Sequence, residues 1–245
     1  MGIIVLTGGR SDEREISILS SKNVINALNK LNYGVKAMDV KNKIDYSKIK
    51  KDDIVFPVLH GVEGESGDLQ KELEKRKIKF VGSGFKACKD SWDKIKFKRL
   101  CEKKGIKTAK WEIISSKSPE VNIQAPLVIK PSDSGSSIDL FLVKTKAELS
   151  KVPFKNLFKK YKELLVEEYI KGTEVTAGIL KEKALPLIEI VPPKGKMFDY
   201  ENKYNGKTQE IPFAPSLSPK VQKEIKQIAL FIHQQLGCKD FSRTD

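Results

Sequence analysis

The chain has 245 residues, of which 39% are hydrophobic and 32% charged, a composition typical of a soluble globular protein with two or three subdomains. No apolar run approaches the roughly 18–20 residues of a membrane span, and the apolar amino terminus lacks the basic leader and cleavage site of a signal peptide. The three cysteines, Cys88, Cys101 and Cys238, form no CxxC pair, which favours reduced thiols. We therefore expect a cytoplasmic protein with no membrane partner.

The formal net charge of +14 is compatible with a nucleic-acid binder, but its distribution argues against one. Only five of the 46 basic residues are arginine, the residue on which specific base and phosphate contacts depend most. The lysines are scattered over predicted helix faces and form no single stripe. We expect no nucleic-acid partner, and a nucleic-acid binder remains the most distant alternative.

Residues 1–84 predict a small α/β domain with a parallel sheet, because a strand, a Gly-rich turn, a helix and a second strand follow one another as a βαβ unit. The strands of this domain are predicted over residues 2–7, 35–40, 54–59 and 78–81. The first helix is expected to pack through an apolar side formed by Ile16, Leu19, Val24, Leu28 and Leu31.

Two loops of this domain carry candidate binding groups at the carboxyl ends of predicted strands, where open α/β sheets bind their ligands. Glu13 and Glu15 stand at a helix start, where carboxylates are the wrong sign for phosphate but suit an ammonium group; an ordinary helix-start preference is the alternative. His60 begins a loop with three glycines. The first turn is not GxGxxG, so the dinucleotide fingerprint is absent.

The rest of the chain predicts a strand-rich region. Its strands are expected over residues 111–114, 127–130, 140–143, 164–170, 174–180, 185–191 and 241–245, and its helices over 91–105, 146–162 and 218–237. The last helix is expected to pack through Val221, Ile225, Ile228, Ala229, Ile232 and Leu236, beside which we interpret His233 as structural. Residues 192–215 predict a long irregular loop, which in a compact domain is usually functional or disordered.

The segment from Lys130 to Asp139 is the clearest candidate for phosphate binding. Lys130 ends an apolar run, and a loop rich in Ser and Gly follows before the next apolar run. Backbone N–H groups and hydroxyls of such a loop converge well on phosphate oxygens, and the lysine adds a charge; an ordinary hairpin turn with a solvated lysine is the alternative. Together with Glu167, Glu168 and the long loop, this segment predicts a nucleotide and carboxylate site, but the spacing does not name the reaction.

Seven segments, taken in order, resemble the D-alanine–D-alanine ligases of the ATP-grasp superfamily. They are residues 8–17, 59–65, 93–94, 130–137, 166–174, 199–204 and 243–245. The resemblance implies a fold of the α/β and α+β class with ATP-grasp architecture. It divides the chain into an amino-terminal parallel α/β domain (1–84), a small central lid domain (85–168) and an incomplete carboxyl-terminal domain (169–245).

The resemblance implies that ATP phosphorylates the carboxylate of one D-alanine and that the amine of a second D-alanine attacks the acyl phosphate, for peptidoglycan precursor synthesis. It implies ATP and Mg²⁺ (or Mn²⁺) as cofactors, D-alanine as the partner and a homodimer. The alternatives are another carboxylate–amine ligase and an ATP-binding pseudoenzyme.

The resemblance also implies a role for each matching residue. On the nucleotide side, Lys94 and Lys130 grip phosphates, Glu167 lies at the adenine edge with Glu168 beside it at the interdomain hinge, Glu174 accepts from the ribose hydroxyls and Lys203 closes over the phosphates. On the substrate side, Glu13 anchors the first ammonium group, Ser136 and Tyr204 tie Glu13 to the mobile loop, His60 contacts a carboxylate, Arg243 stabilises an oxyanion and Asp245 holds magnesium. Without the resemblance, Lys94 reads as a solvated helix lysine, Glu167 and Glu168 as strand-edge charges, and Tyr200 and Tyr204 as packing residues.

Two features depart from the family pattern. Asp139 stands where the family has glycine, and we expect its carboxylate to face solvent because it would otherwise repel phosphates. The family continues beyond the Arg243-x-Asp245 motif with further magnesium ligands, a Pro-Gly turn and a helix. We interpret the sequence as a fragment of a complete ligase; a natively short, inactive chain is the alternative.

Overall fold

The computed structural model describes residues 2–194, 202–203 and 206–245. Contacts divide the chain into two compact units. The first comprises Met1–Asp90, Ile179–Lys183 and Leu230–Ser242, and the second comprises Ser91–Gly178, Ala184–Ala229 and Arg243–Asp245. The division into three domains at residues 84 and 168 stays a prediction.

The first unit contains the predicted parallel sheet. Its strands are β1 (Ile3–Gly8), β2 (Val35–Val40), β3 (Ile54–Pro57) and β4 (Lys79–Phe80), in the order β2-β1-β3-β4. Every adjacent pair is parallel, so this prediction is confirmed. The accompanying helices are α1 (Arg14–Lys30), α2 (Val62–Glu65), α3 (Asp68–Lys75) and α4 (Phe85–Trp92). All of β1 is buried, as expected for a central strand covered on both faces.

Helix α1 agrees with the predicted packing side only in part. Its buried residues are Ser17 and Ser21, whereas Leu19 and Leu31 are 60% and 66% exposed. The Ser17 hydroxyl accepts a hydrogen bond from Gly8 N at 2.9 Å and donates one to Val58 O at 2.5 Å. The other three residues of the predicted side are half-buried. The most deeply buried position of the helix is thus a serine that supplies partners for backbone groups near the strand ends.

The second unit contains an antiparallel sheet with the order β5-β8-β6-β7. Its strands are β5 (Trp111–Ser115), β6 (Leu127–Pro131), β7 (Phe141–Val143) and β8 (Glu163–Glu168). Helices α5 (Lys94–Lys103), α6 (Lys146–Leu149) and α7 (Phe154–Lys160) also belong to this unit. A core that includes Ile114, Leu127, Ile129, Leu157 and Leu164 packs beneath the sheet. The predicted strand–loop–strand segment is confirmed as the β6–β7 hairpin.

A third sheet is built from β9 (Glu174–Leu180), β10 (Lys183–Ala184), β11 (Ile188–Val191) and β12 (Gln209–Pro212) in the order β10-β9-β11-β12, with β13 (Phe241–Thr244) paired to β9. The presence of β12 corrects the prediction of an irregular loop over residues 192–215. This strand pairs antiparallel with β11 and lacks a strong apolar alternation that would have revealed it.

Helix α8 (Pro219–Leu236) follows the predicted bounds closely and the predicted packing side in part. Val221 and Ile228 are exposed, while Ala229 and Ile232 are buried. His233 is buried, and its Nδ1 lies 2.7 Å from the Ser242 hydroxyl, which confirms its structural role. No helix in the described part of the chain is long and apolar enough to cross a membrane.

Candidate active site

Helix α5 begins at Lys94 because Asp93 caps it. The Asp93 carboxylate accepts hydrogen bonds from the N–H groups of Ile95 and Lys96, each at 3.1 Å, and from the Ser132 hydroxyl at 2.8 Å. Lys94 N in turn donates to Ser132 O at 3.0 Å. These bonds satisfy the helix end and fasten it to the start of the loop that follows β6. The predicted single helix over residues 91–105 is therefore two helices, α4 and α5, separated at Asp93.

The ammonium group of Lys94 lies beneath the loop and contacts Ser134 O. Burial and the nearby charge of Lys130 lower its pKa from 10.5 to about 8, against the opposing influence of Asp133 and Glu167. Two cations in a partly dehydrated setting repel each other, and an anion placed between them would relieve that repulsion. This environment contradicts the interpretation of Lys94 as a solvated helix lysine and favours a polyanion site.

Glu167 on β8 bridges two lysines. Its Oε1 pairs with Lys98 Nζ and its Oε2 with Lys130 Nζ, and the side chains of Glu167 and Lys98 are each 9% exposed. Burial alone would raise the pKa of this carboxyl, but Lys130 and Lys98 outweigh burial and lower it. Glu167 is thus a buried, ionised acceptor and not a strand-edge charge.

Lys98 was missed by the sequence reasoning. Besides Glu167, it contacts the Thr108 hydroxyl and donates to Ala109 O at 3.3 Å, so its ammonium group is held on several sides. The available signal was its position four residues after Lys94 on the same helix, which places both side chains on one face. In a helix with many lysines, that signal did not stand out.

The loop between β6 and β7 is held in an unusual backbone conformation. Ser136, Ser137 and Asp139 have φ values of 51°, 58° and 54°, in the left-handed region. A Cβ on Gly135 would lie 3.1 Å from the indole ring of Trp92, whose Nε1 donates to Asp133 O at 3.1 Å. The close approach of the indole ring explains the glycine, and Trp92 is a second residue that the sequence reasoning missed.

Asp139 does not face solvent, contrary to expectation. Its carboxylate accepts a hydrogen bond from the Tyr161 hydroxyl at 2.8 Å and pairs with Lys160 Nζ at 3.2 Å. Its side chain is 22% exposed. The charge that would repel phosphate is therefore paired with a lysine.

Glu168, next to Glu167, fastens the start of β5. Its carboxylate accepts from Lys110 N at 2.8 Å, and its own N–H donates to Lys110 O at 2.9 Å. These contacts give Glu168 a structural role, and its place at an interdomain hinge stays a prediction.

Three further predicted site residues influence one another in the second unit. Burial and the charge of Asp245 raise the pKa of Glu174, while Lys203 opposes the shift. Arg243 Nε lies 3.4 Å from Asp245 Oδ1. Glu174, Lys203 and Asp245 therefore lie within electrostatic reach of one another, whereas Tyr204 and Tyr200 lie outside the described residues.

In the first unit, Glu13 precedes α1 and is 7% exposed. A Cβ on Gly61 would lie 3.0 Å from Glu13 Oε2, so the carboxylate lies directly against the loop that follows β3. His60 on that loop has its Nδ1 3.6 Å from Glu65 Oε1. Glu13 therefore lies against the His60 loop, and burial sets Glu13 apart from a solvated helix-start carboxylate.

Glu63 and Arg10 connect the same two loops. The Glu63 carboxylate accepts from Arg10 N and Arg10 Nε, each at 2.5 Å. Arg14 donates to Asp39 at 2.7 Å and to Gly9 O at 3.1 Å. These four side chains, to which no role was assigned from the sequence, hold the Gly-rich turn in place. Glu13 is more deeply buried than the carboxylates that take part in these contacts.

The chain was compared with known families and structures. The family model described as "D-ala D-ala ligase C-terminus" matches residues 96–245. The D-alanine–D-alanine ligase of Aquifex aeolicus (strain VF5) is 39% identical over 249 residues, covering 100% of this chain and 84% of that protein.

Solved structures agree over nearly the whole chain. The crystal structure of a D-alanine–D-alanine ligase from Bacillus anthracis is similar with a TM-score of 0.84 and 31% identity, covering 99% of this chain and 81% of that one. A structure of the Bacillus anthracis ligase complexed with ATP gives a TM-score of 0.82 and 28% identity, covering 99% and 80%. The mixed parallel and antiparallel sheets are therefore those of the ATP-grasp ligases.

Proposed function

The chain belongs to the D-alanine–D-alanine ligase family, and from that membership we propose that it joins two D-alanines in an ATP-dependent reaction for peptidoglycan precursor synthesis. The observation that carries the proposal is the pair Lys94 and Lys130, placed with buried Glu167 at the Ser- and Gly-rich loop. A half-buried pair of lysines, one of which has a lowered pKa, is a costly arrangement that an arriving polyanion would stabilise.

For the nucleotide, Lys94 and Lys130 are proposed to neutralise phosphate charge, and Glu167 to accept a hydrogen bond at the adenine edge. When ATP binds, Lys130 would leave its ion pair with Glu167 Oε2 and pair with a phosphate oxygen. Lys98 would remain paired with Glu167 Oε1. Glu174 would accept from the ribose and Lys203 would cover the phosphates. The similarity to a Bacillus anthracis ligase solved with ATP supports this assignment.

For the amino acids, buried Glu13 is proposed to hold the ammonium group of the first D-alanine, with His60 contacting its carboxylate. The carboxylate becomes an acyl phosphate when the γ-phosphoryl group is transferred and ADP leaves. The uncharged amine of the second D-alanine then attacks the acyl carbon, the C–O bond to phosphate breaks, and inorganic phosphate and one amine proton are released. Arg243 would stabilise the oxyanion of that adduct. Ser136 and Tyr204 would connect Glu13 to the covering loop, which excludes water from the acyl phosphate.

Magnesium or manganese would neutralise phosphate charge in such a reaction. In the described ranges, no group of three or more His, Cys, Asp or Glu side chains could hold a metal ion. The described residues therefore do not form a complete metal site, and Asp245 is the single ligand that we propose. No step of the mechanism is assigned to the metal.

The remaining proposals concern partners. A homodimer through the amino-terminal region and a cytoplasmic location are proposed from family membership. Exposed Leu19 and Leu31 on α1 supply apolar surface for such a contact. Sedimentation of the wild type and of a Leu19→Lys variant tests the dimer, which is excluded if both sediment as monomers at micromolar concentration.

The proposed reaction is tested by the release of ADP from ATP as D-alanine is added. We expect stimulation by D-alanine, and a loss of at least about a hundredfold in Lys130→Met, because a phosphate-binding cation is removed. Lys117→Met, which changes an exposed lysine, serves as the matched control.

Two outcomes would replace the proposal. Stimulation by a different amino acid alone would indicate another carboxylate–amine ligase. Tight ATP binding without ADP release under any amino acid would indicate a nucleotide-binding pseudoenzyme.

A further inference from the structure

The loop over residues 132–139 is fastened at its far end by a side-chain contact. Asp139, at a φ of 54°, accepts a hydrogen bond from the Tyr161 hydroxyl at 2.8 Å. A glycine at this position would tolerate the backbone conformation but would offer no acceptor. Compared with glycine, Asp139 therefore offers a specific side-chain bond in place of conformational freedom.

Tyr161 is a firm anchor for that bond. It directly follows α7, and its ring packs against the buried core of the antiparallel sheet. Burial and the bond to Asp139 raise the pKa of Tyr161 to about 12, although a hydrogen bond with Ser134 opposes the shift. The hydroxyl thus interacts with both ends of the loop, at Ser134 and at Asp139.

The carboxylate of Asp139 also forms an ion pair, at the same oxygen that accepts from Tyr161. Lys160, the last residue of α7, places its Nζ 3.2 Å from the Asp139 carboxylate. An unpaired carboxylate in a phosphate-binding loop would weaken the binding of a polyanion. The lysine reduces that repulsion without removing the acceptor that Tyr161 needs.

The near end of the loop is held separately. Trp92 donates to Asp133 O at 3.1 Å, and Lys94 contacts Ser134 O. Within the loop, Ile138 N donates to Gly135 O at 3.1 Å, and the bond from Tyr161 to Asp139 adds a tie at the far end. Fixing a loop before its ligand arrives removes an entropic cost from binding.

We propose that Asp139 and Tyr161 form a latch that holds the loop over residues 132–139 in its phosphate-binding shape before nucleotide arrives, with Lys160 neutralising the carboxylate. Asp139 and Tyr161 are positioning residues, because they act through the loop and do not touch the reacting atoms. The identity of the ligand, ATP, rests on the proposed function; the latch itself does not.

The first measurement is amide hydrogen exchange over residues 133–138 in the nucleotide-free protein. We expect Tyr161→Phe and Asp139→Gly each to speed exchange about tenfold, and the double variant to be no faster than either single one, because both remove the same bond. Asp139→Asn, which keeps an acceptor oxygen and tolerates positive φ, is expected to lose less protection. Tyr33→Phe, at an exposed tyrosine in the first unit, is the control.

The second measurement is ATP binding by the same variants. We expect the dissociation constant to rise about threefold to tenfold in Tyr161→Phe and Asp139→Gly, again without additivity. Tighter ATP binding in both Asp139→Gly and Asp139→Asn would overturn the latch, because charge repulsion would then be the dominant effect. Unchanged loop exchange in Tyr161→Phe would overturn it as well.

Failure of the proposed function has a different signature. If neither the wild type nor any variant binds ATP, while the rates of amide hydrogen exchange over residues 133–138 still change as expected, the latch is supported and the nucleotide assignment is wrong.

Discussion

Lys98 and Glu167 form an ion pair inside the second unit, with the side chain of each only 9% exposed. Lys130 pairs with the other oxygen of the same carboxylate. Taking charges out of water is costly, and the cost is offset only while each charge keeps its partners. The arrangement therefore has consequences for stability as well as for nucleotide binding.

Lys98→Met is expected to lower the free energy of unfolding by about 3 kcal/mol. The substitution leaves the buried Glu167 carboxylate with one lysine and removes the partner of the Thr108 hydroxyl. Urea denaturation measures the change. Lys48→Met is the matched control: Lys48 pairs with Asp45 at 3.3 Å but is 72% exposed, so a change within about 0.5 kcal/mol is expected. Equal effects of the two substitutions would contradict the importance of burial.

The pKa of Lys94 predicts how ATP binding depends on pH. Below its pKa of about 8, Lys94 is charged before and after ATP binds. Above that pH, binding must take up a proton, so the dissociation constant should rise by up to about tenfold per pH unit. Calorimetry of ATP binding between pH 7 and 9.5 measures the profile, and a flat wild-type profile would contradict the assignment.

Lys94→Arg is the control for that profile, because a guanidinium group stays charged throughout the range. The variant should bind ATP with little dependence on pH above 8.

The lowered pKa of Lys94 also makes folding stability depend on pH. Since the pKa of Lys94 lies below the 10.5 of an ordinary lysine, the unfolded chain binds more protons between pH 8 and 10.5, and the contribution of Lys94 to stability rises with pH in that window.

The buried hydroxyl of Ser17 predicts a second effect on stability. Ser17→Ala removes the acceptor for Gly8 N and the donor to Val58 O, leaving two buried backbone groups without that partner. The expected loss in the free energy of unfolding is about 2 kcal/mol. Ser20→Ala on the same helix, where the side chain is only partly buried, should change it by less than about 0.5 kcal/mol, and a comparable loss there would count against the explanation.

Ser17 also shows where the sequence stops predicting the fold. The βαβ unit and the β6–β7 hairpin were predicted because apolar runs bounded by Gly, Pro and Ser are local signals. The complete burial of Ser17 in α1 was not, because its hydroxyl accepts from a backbone N–H of β1 and donates to a carbonyl in the segment after β3. An apolar stripe carries no information about those partners.

The same distinction applies to the candidate site. Lys94, Lys130 and Glu167 were assigned from motifs of a few residues each, and the structure brings them together. Lys98 and the Asp139 contact were missed or misjudged because their partners, Glu167 and Tyr161, are distant in sequence. In a lysine-rich segment Lys98 does not stand out from solvated lysines, but its contact with buried Glu167 identifies it as a buried ion-pair partner.

Buried Glu13 leads to the last prediction. Its carboxylate lies against Gly61 and, in the proposed reaction, pairs with the ammonium group of the first D-alanine. Glu13→Gln keeps the shape but removes the charge, so the KM for D-alanine should rise by roughly 30- to 100-fold, the value of a charge-assisted bond worth about 2–3 kcal/mol. ADP release at varied D-alanine measures this change.

Glu15→Gln is the matched control for Glu13→Gln, because Glu15 lies in the first turn of α1, two residues after Glu13, but is exposed. Its KM for D-alanine should stay within about twofold of the wild type, since an exposed helix-start carboxylate contributes only a few tenths of a kcal/mol. ATP affinity should be unchanged in both variants, because neither carboxylate is assigned to the nucleotide. A fall in ATP affinity with an unchanged KM for D-alanine in Glu13→Gln would move Glu13 from the amino-acid site to the nucleotide site.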